Sequence, residues 1–300
     1  MKILITGSSG MLGTDLCRVL KDEHEIAGVD LAEPKETSCE PQVFYKASIN
    51  DPGRIKEVFD KENPDLIIHT AAWTDVDGCE KDPEKAYMVN VTGTQNIVNA
   101  LSGKDIPVIL ISTDFVFNGE KGEPYSESDR PDPISVYGRT KLEAEEVVQR
   151  GLTRYAIVRT SWLFGKNGRN FVDTIIGKSR EEKRLRVVSD QIGSPTHTID
   201  LANALKELLL FSNDFGKEIY HIANTGWCSW YDFALKILEN VPEIKGTTVE
   251  SITSGELDRP AKRPKFSVLD CSKFKEKTKH QMQPWEDALK VYFKERGLRE

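Results

Sequence analysis

The sequence predicts an α/β protein with a doubly wound parallel sheet and a smaller C-terminal lobe. Short segments rich in β-forming residues alternate with longer amphipathic segments, which is the pattern of repeated strand–helix–strand units. Two of the short segments, 66–68 and 108–111, are unbroken aliphatic runs, as expected for strands buried on both faces of a sheet. Because such sheets bind ligands at the carboxyl ends of their strands, we expect a functional site there.

The alternation extends to about residue 165. The predicted strands are 2–6, 25–30, 42–46, 65–71, 108–112 and 155–160. The predicted helices begin at Met11 and Pro52 or span 83–101 and 136–150. Beyond this point the pattern becomes irregular, with shorter helices at 199–211 and 230–241. We therefore predict a core of residues 1–165, to which later segments can return, and a mainly substrate-binding lobe of residues 166–300.

Composition and charge exclude several classes of function. The net charge of −7 argues against a general affinity for nucleic acid. No apolar run approaches the roughly 18 residues that a membrane span requires. The first apolar segment ends at Thr6 in a glycine-rich turn, which favours a strand over an export signal. We expect a cytoplasmic protein that binds neither nucleic acid nor membrane.

The cysteines and histidines show no arrangement typical of a disulfide framework or a metal site. The five cysteines are scattered and form no C-x-x-C pair, and the five histidines lack ligand spacing. We expect reduced thiols and no bound metal.

A glycine-rich turn joins the first strand to the first helix. Its sequence is Gly7-Ser8-Ser9-Gly10-Met11-Leu12-Gly13. Glycines let the backbone approach a pyrophosphate, whose charge is stabilised by the N–H groups at the amino end of the helix. The turn therefore predicts a Rossmann-type dinucleotide site formed by Gly7, Gly10, Met11, Leu12 and Gly13. The alternative is a tight turn that binds nothing.

Asp30 closes the second strand about 20 residues beyond the glycines, where a carboxylate can bind the ribose hydroxyls of the cofactor. Its charge would repel the 2′-phosphate of NADPH, although Lys35 could offset that phosphate. We expect NADPH or NADH as the cofactor, with NADH accepted within about tenfold of NADPH. The alternative is an exposed strand-end aspartate that binds no ligand.

Tyr137 and Lys141 are four residues apart and would share one face of a helix. The tyrosine could protonate a carbonyl oxygen as hydride arrives, and the lysine charge could lower the pKa of the phenol. Upstream, a buried strand ends in Ser112-Thr113-Asp114, where a hydroxyl could hydrogen-bond the same oxygen. A Tyr-x-x-x-Lys pair arises often by chance, so the location of this pair supports hydride-transfer chemistry more than the pair itself does.

Several further motifs follow the glycine turn in a specific order. They are His69–Asp77 (HTAAWTDVD), Ser112–Phe117 (STDFVF), Tyr137–Lys141 (YGRTK), Arg159–Gly165 (RTSWLFG), Asp190–Thr196 (DQIGSPT) and Arg263-Pro264. With these motifs the chain resembles, nearly end to end, the dTDP-4-dehydrorhamnose reductase family of the extended short-chain dehydrogenases. The resemblance implies NAD(P)H-dependent reduction of a 4-keto-6-deoxyhexose carried on a nucleoside diphosphate, with Thr113, Tyr137 and Lys141 as the catalytic residues.

The resemblance also implies binding roles for other residues. It places Ala71, Ala72 and Asn90 near the cofactor and Trp162 near the sugar, although Trp162 could instead pack the lobe. Many relatives have an acidic residue after the third strand, whereas this chain has 47–50 (ASIN), so only a hydroxyl or backbone contact from Ser48 and Ile49 is expected. A homodimer is possible, and we predict no metal at its interface.

Four more residues are candidates for binding the substrate. Asp114 follows the catalytic hydroxyl, and Asn170 and Phe171 could meet the diphosphate or simply begin a helix. Arg263 lies in a basic cluster that suits a diphosphate, or a solvated loop. The remaining tryptophans, Trp227, Trp230 and Trp285, are predicted to pack the lobe.

Two other classes of function stay open. Epimerases and dehydratases share this scaffold, but dehydratases usually have an Asp-Glu pair after the hydroxyl residue, whereas Thr113 is followed by Asp114-Phe115. A binding module is the second alternative, because the regulatory subunit of methionine adenosyltransferase resembles the same family. The intact Thr113, Tyr137 and Lys141 favour the reductase.

Overall fold

The structure is a computed structural model that describes residues 1–34, 39–241, 244 and 246–298. Its strands are β1 (Lys2–Thr6), β2 (Glu25–Asp30), β3 (Val43–Lys46), β4 (Leu66–His69), β5 (Val108–Thr113), β6 (Tyr155–Thr160), β7 (Leu163–Phe164), β8 (Arg184–Val188), β9 (Ile192–Gly193), β10 (Thr196–His197), β11 (Lys217–His221), β12 (Cys228–Ser229) and β13 (Thr248–Ile252). Its α-helices are α1 (Met11–Leu20), α2 (Pro52–Glu62), α3 (Val76–Lys81), α4 (Pro83–Tyr87), α5 (Gly93–Ala100), α6 (Val136–Gly151), α7 (Phe171–Glu181), α8 (Thr198–Leu209), α9 (Trp230–Glu239), α10 (Ser272–Thr278) and α11 (Trp285–Glu295).

Seven parallel strands form the central sheet, in the order β11-β6-β5-β4-β1-β2-β3. The chain runs outward from β1 to β3, crosses to the other side of β1 at β4, and continues outward to β11. The prediction of a doubly wound parallel sheet is confirmed. The direction of winding changes between β1 and β4, so the turn that follows β1 lies at the switch point where such sheets bind ligands.

Helices bury apolar side chains against both faces of the sheet. On one face, Leu16 of α1 and Leu205 of α8 pack with Ile3 and Ile5 of β1. The other face carries a second cluster, which includes residues of α2, α5 and α6. The central strands β4 and β5 are buried along their whole length, which explains their aliphatic runs.

The C-terminal lobe has a hydrophobic cluster of its own around Phe233 and Tyr292. Three short strand pairs, β7 with β10, β9 with β12 and β8 with β13, connect its helices. Later segments do return to the core, since β11 extends the sheet beyond β6 and α8 packs on α1. The central sheet therefore continues beyond residue 165. The division at this residue into a core and a mainly substrate-binding lobe stays a prediction.

The helix predicted over 83–101 is interrupted. Between α4 and α5 the backbone forms a π-helical segment, Met88–Thr92, in which Asn90 is buried. Such single π-helical turns occur within α-helices, and the prediction of one continuous helix did not include this one. The predicted strands 42–46 and 65–71 are shorter in the structure, at Val43–Lys46 and Leu66–His69.

Among the described residues, no helix is both long enough and apolar enough to span a bilayer. The same residues contain no group of three or more side chains able to hold a metal ion. The five cysteines, all of which lie within the described residues, form no disulfide bond there.

Candidate active site

A cavity of about 580 Å³ lies at the carboxyl ends of the central strands. Its size is within the usual range for ligand sites. Most of the residues singled out from the sequence line it: Gly7, Gly10, Met11, Leu12, Gly13, Asp30, Ser48, Ile49, Ala71, Ala72, Thr113, Asp114, Tyr137, Lys141 and Trp162. The cavity thus extends without interruption from the glycine-rich turn to the predicted catalytic residues.

The glycine-rich turn is packed so closely that two of its glycines cannot be replaced without movement. Gly7 has a φ of +74°, and a Cβ there would lie 2.5 Å from Thr70 Oγ1. A Cβ at Gly13 would overlap the carbonyl oxygen of Gly7. No described side chain caps α1, so the N–H groups of its first turn remain available to an anion in the cavity. This cradle fits a dinucleotide pyrophosphate.

Asp30 holds the neighbouring loop in place. Its carboxylate accepts hydrogen bonds from the backbone N–H groups of Ser9 at 2.9 Å, Leu31 at 2.6 Å and Ala32 at 3.3 Å. The side chain therefore fixes the glycine turn and still borders the cavity. A carboxylate offers about four acceptor positions, so a ribose hydroxyl can be added to these contacts. Lys35 lies outside the described residues.

Ser48 and Ile49 form the wall beyond Asp30. The Ser48 hydroxyl accepts from the N–H of Asn50 at 3.1 Å, and the carbonyl of Ile49 accepts from Asn96 at 2.9 Å. Both of these polar groups already have partners in the protein. Ala71 and Ala72 line the cavity after β4.

The helix that carries Tyr137 begins at the cavity because Ser135 caps it by accepting from the N–H of Gly138 at 3.1 Å. Tyr137 is buried, and its ring meets Phe115 edge-on with centroids 5.8 Å apart. Burial raises the pKa of the phenol, while a hydrogen bond with the Thr113 hydroxyl acts in the opposite direction. Tyr137 therefore keeps its proton at neutral pH, as a proton donor must.

Lys141 is buried one helical turn further along α6, and its Nζ donates to the carbonyl of Ile111 at 2.7 Å. Burial lowers the pKa of Lys141 to about 8, against the opposing charge of Glu145. In this conformation the ammonium of Lys141 is bound to strand β5, so its effect on the phenol of Tyr137 stays a prediction.

A buried ion pair lies next to the predicted catalytic residues. Glu145 accepts from Arg159 Nε at 3.0 Å and Nη2 at 2.7 Å, and it also accepts from Ser112 Oγ at 2.5 Å. These contacts tie α6 to β5 and β6 next to Lys141 and Thr113. Because both charges are buried, removing one partner alone would leave the other uncompensated.

Asp114 is a buried acid in the wall of the cavity. It is 2 % exposed, and its carboxylate accepts from Thr113 Oγ1 at 3.1 Å and from Ser267 Oγ at 2.5 Å. Burial raises the pKa of Asp114 to about 7, although both hydrogen bonds act against this shift. The side chain can therefore exchange a proton close to neutral pH.

Two tryptophans form the opposite end of the cavity. Trp162 adopts a φ of +46° and stacks on Trp230, with ring centroids 3.5 Å apart and an interplanar angle of 4°. Gly193 lies against the Trp162 indole, where a Cβ would overlap the ring. Trp162 is thus fixed between two distant segments. Trp230 lines the cavity as well, which the sequence did not reveal.

Four of the residues proposed from the sequence do not line the cavity: Asn90, Asn170, Phe171 and Arg263. Asn90 instead bonds both backbone groups of Trp73, accepting from N–H at 2.8 Å and donating to the carbonyl at 3.2 Å. Its amide also donates to Thr140 at 3.0 Å, so it connects the segment after β4 to α6.

The other three residues have structural partners. Asn170 caps α7 by accepting from the N–H of Asp173 at 3.0 Å, and Phe171 packs on Trp230 with centroids 4.5 Å apart. Arg263 forms a two-pronged ion pair with Asp77, at 3.1 and 2.8 Å. The diphosphate role predicted for Arg263 therefore has to compete with this ion pair.

The residues of the cavity wall that sequence analysis did not predict include Trp230 and Arg169. Trp230 begins α9 behind the capping residue Ser229, and Arg169 follows the turn 165–168. Neither position carries a local signal, because both reach the cavity only through the folding of the lobe.

Comparison with known proteins gives consistent results. The family model described as the RmlD substrate binding domain matches residues 1–297. The spore coat polysaccharide biosynthesis protein SpsK of Bacillus subtilis is 38% identical over 99% of this chain and 98% of its own length.

Solved structures agree in fold. A dTDP-4-dehydrorhamnose reductase from Clostridium acetobutylicum superimposes with a TM-score of 0.88 at 37% identity, covering 99% of this chain and 100% of that one. The dTDP-4-dehydrorhamnose reductase of Bacillus anthracis, in complex with NADP, gives a TM-score of 0.87 at 36% identity, covering 98% and 99%.

Proposed function

Because this chain belongs to the family of the RmlD substrate binding domain, we propose that it is an NAD(P)H-dependent reductase of a 4-keto-6-deoxy sugar carried on dTDP. One observation supports this proposal above the others. Thr113, Tyr137 and Lys141 meet at the wall of a single cavity that also contains the glycine-rich turn. A carbonyl compound and a dinucleotide would therefore be held side by side.

The cofactor end would be formed by the turn 7–13, by the amino end of α1 and by Asp30. A bound NADH or NADPH supplies the hydride. The crowded glycines and the uncapped helix support this assignment, because they leave backbone N–H groups for a pyrophosphate. Asp30 would hold the ribose while it keeps its bonds to the turn.

The protein's own contribution is to place a proton and hydrogen bonds at the sugar carbonyl. Tyr137 keeps its proton and would donate it to the oxygen, while the Thr113 hydroxyl would orient that oxygen. Lys141 would stabilise the resulting phenolate once its ammonium moves from the carbonyl of Ile111 towards Tyr137.

The test is Tyr137→Phe assayed with dTDP-linked 4-keto-6-deoxy sugars and with NADH and NADPH. We expect kcat to fall by about 100-fold or more, the usual contribution of a positioned acid, with little change in cofactor Kd. The matched control is Tyr155→Phe, which alters another buried tyrosine away from the cavity. Near-normal turnover of Tyr137→Phe would contradict the assignment, and failure of the unmodified protein on every sugar would contradict the function.

A further inference from the structure

The charged side chains that line the cavity differ in whether they already have partners within the protein. The charged residues that line it are Asp30, Asp114, Lys141 and Arg169. Asp114 and Lys141 are buried and bonded within the protein, and Asp30 is bound to three backbone N–H groups. Arg169 is exposed, and it has no hydrogen-bond or ion-pair partner among the described residues. It is therefore the one lining cation, within the described part of the chain, that is free to meet an anion.

The backbone on which Arg169 stands is held in place. Asn170 Nδ2 donates to the carbonyls of Gly165 at 2.9 Å and Gly168 at 3.2 Å, which closes the loop 165–169. A Cβ at Gly168 would lie 2.9 Å from Cβ of Met11, the first residue of α1. The loop therefore lies against the amino end of α1, and Arg169 lines the same cavity as that helix end and Trp162.

We propose that Arg169 binds the diphosphate group of a nucleotide ligand in this cavity. A guanidinium is suited to this task because it presents paired N–H donors to phosphate oxygens. The predicted alternative, Arg263, has both of its outer nitrogens bound to Asp77. The inference rests on the proposed function and adds a residue to it. The diphosphate could come from the cofactor or from the nucleotide sugar, and the two sources can be separated by binding measurements.

The experiment compares Arg169→Ala with Arg180→Ala, which removes another exposed arginine near the far end of α7. Two dissociation constants are measured without turnover: NADPH by nicotinamide fluorescence and dTDP by calorimetry. We expect Arg169→Ala to weaken at least one of them by about tenfold, with the loss shrinking in high salt. Arg180→Ala should leave both unchanged. Weakened NADPH identifies the cofactor as the source, and weakened dTDP identifies the nucleotide sugar.

Unchanged affinity for both ligands in Arg169→Ala would overturn the inference. In that case, a loss of dTDP affinity in Arg263→Ala would assign the diphosphate of the nucleotide sugar to Arg263 instead. Because neither measurement requires a reaction, the inference can be judged even if none of the tested sugars is reduced. A protein that binds both ligands through Arg169 but reduces none of them would refute the proposed function alone.

Discussion

The two ends of the cavity are built in different ways. The glycine end consists mainly of backbone from one continuous turn, held by Asp30. The tryptophan end consists of residues from separate parts of the lobe, where Trp162 contacts both Trp230 and Gly193. The first arrangement follows from local sequence, whereas the second exists only after the chain has folded. We therefore expect the ends to respond separately to mutation.

The largest expected effect concerns Asp114, a buried ionisable group of the cavity wall that is bonded to Thr113. The pKa of Asp114 is about 7 in the folded protein, whereas an ordinary aspartate has a pKa of 3.8. As pH rises, the unfolded chain therefore releases this proton before the folded protein does. Wild-type stability should then fall between about pH 4 and 7 relative to Asp114→Asn, by up to about 4 kcal/mol. Urea unfolding of both proteins at several pH values measures this, and parallel pH profiles would contradict the effect of burial.

The glycine end should be most sensitive to a single methyl group. Gly13→Ala places a Cβ against the Gly7 carbonyl, so the turn must open. We therefore expect NADPH affinity to fall by about 100-fold, or about 2.7 kcal/mol. Gly177→Ala is the matched control, because a Cβ there has no neighbour within 4 Å and the residue lies outside the cavity wall. Equal cofactor affinities of the two variants would show that the packing of the turn does not determine binding.

A mutation at the tryptophan end should weaken binding of the nucleotide sugar without changing binding of the cofactor. Trp230→Ala removes the ring that holds Trp162, so we expect KM for the nucleotide sugar to rise by about tenfold, or about 1.4 kcal/mol, while NADPH Kd stays constant. Trp227→Ala is the control, since Trp227 is exposed and lies away from the cavity. A change in cofactor affinity in Trp230→Ala would show that the two ends are coupled.

The smallest effect concerns the choice of cofactor. NADH should be used within about tenfold of NADPH, and Asp30→Ala should shift the ratio towards NADPH by removing a charge near the 2′-phosphate. Asp30→Asn separates charge from structure, because the amide keeps an acceptor for the turn. The ratio of kcat/KM for the two cofactors is the measurement. Strict dependence on NADPH, or an unchanged ratio in both variants, would place Asp30 outside the ribose site.

Much of the glycine end and the catalytic centre could be predicted because each motif lies within one strand, turn or helix. Gly7, Asp30 and the Tyr137–Lys141 pair occupy the cavity wall as expected. Their positions follow from the parallel sheet, which brings the ends of its strands together.

Other features depend on partners that no local pattern reveals. The ion pair between Arg263 and Asp77 joins residues 186 positions apart. The sequence predicted that Trp230 only packs the lobe, yet it reaches the cavity through its stacking on Trp162. The four-residue spacing of Tyr137 and Lys141 predicted the position of the lysine on the helix. It did not predict that the buried ammonium would donate a hydrogen bond to the Ile111 carbonyl.

The late strand β11 has a consequence for how the chain acquires its structure. The edge of β6 that pairs with Lys217–His221 stays open during synthesis until the ribosome has released these residues. A fragment ending at residue 165 would carry that open edge and would also lack α8, exposing the apolar side of α1. Such a fragment would be prone to pair with other chains instead of folding alone. The N-terminal core and the C-terminal lobe therefore depend on each other for folding as well as for the shared cavity.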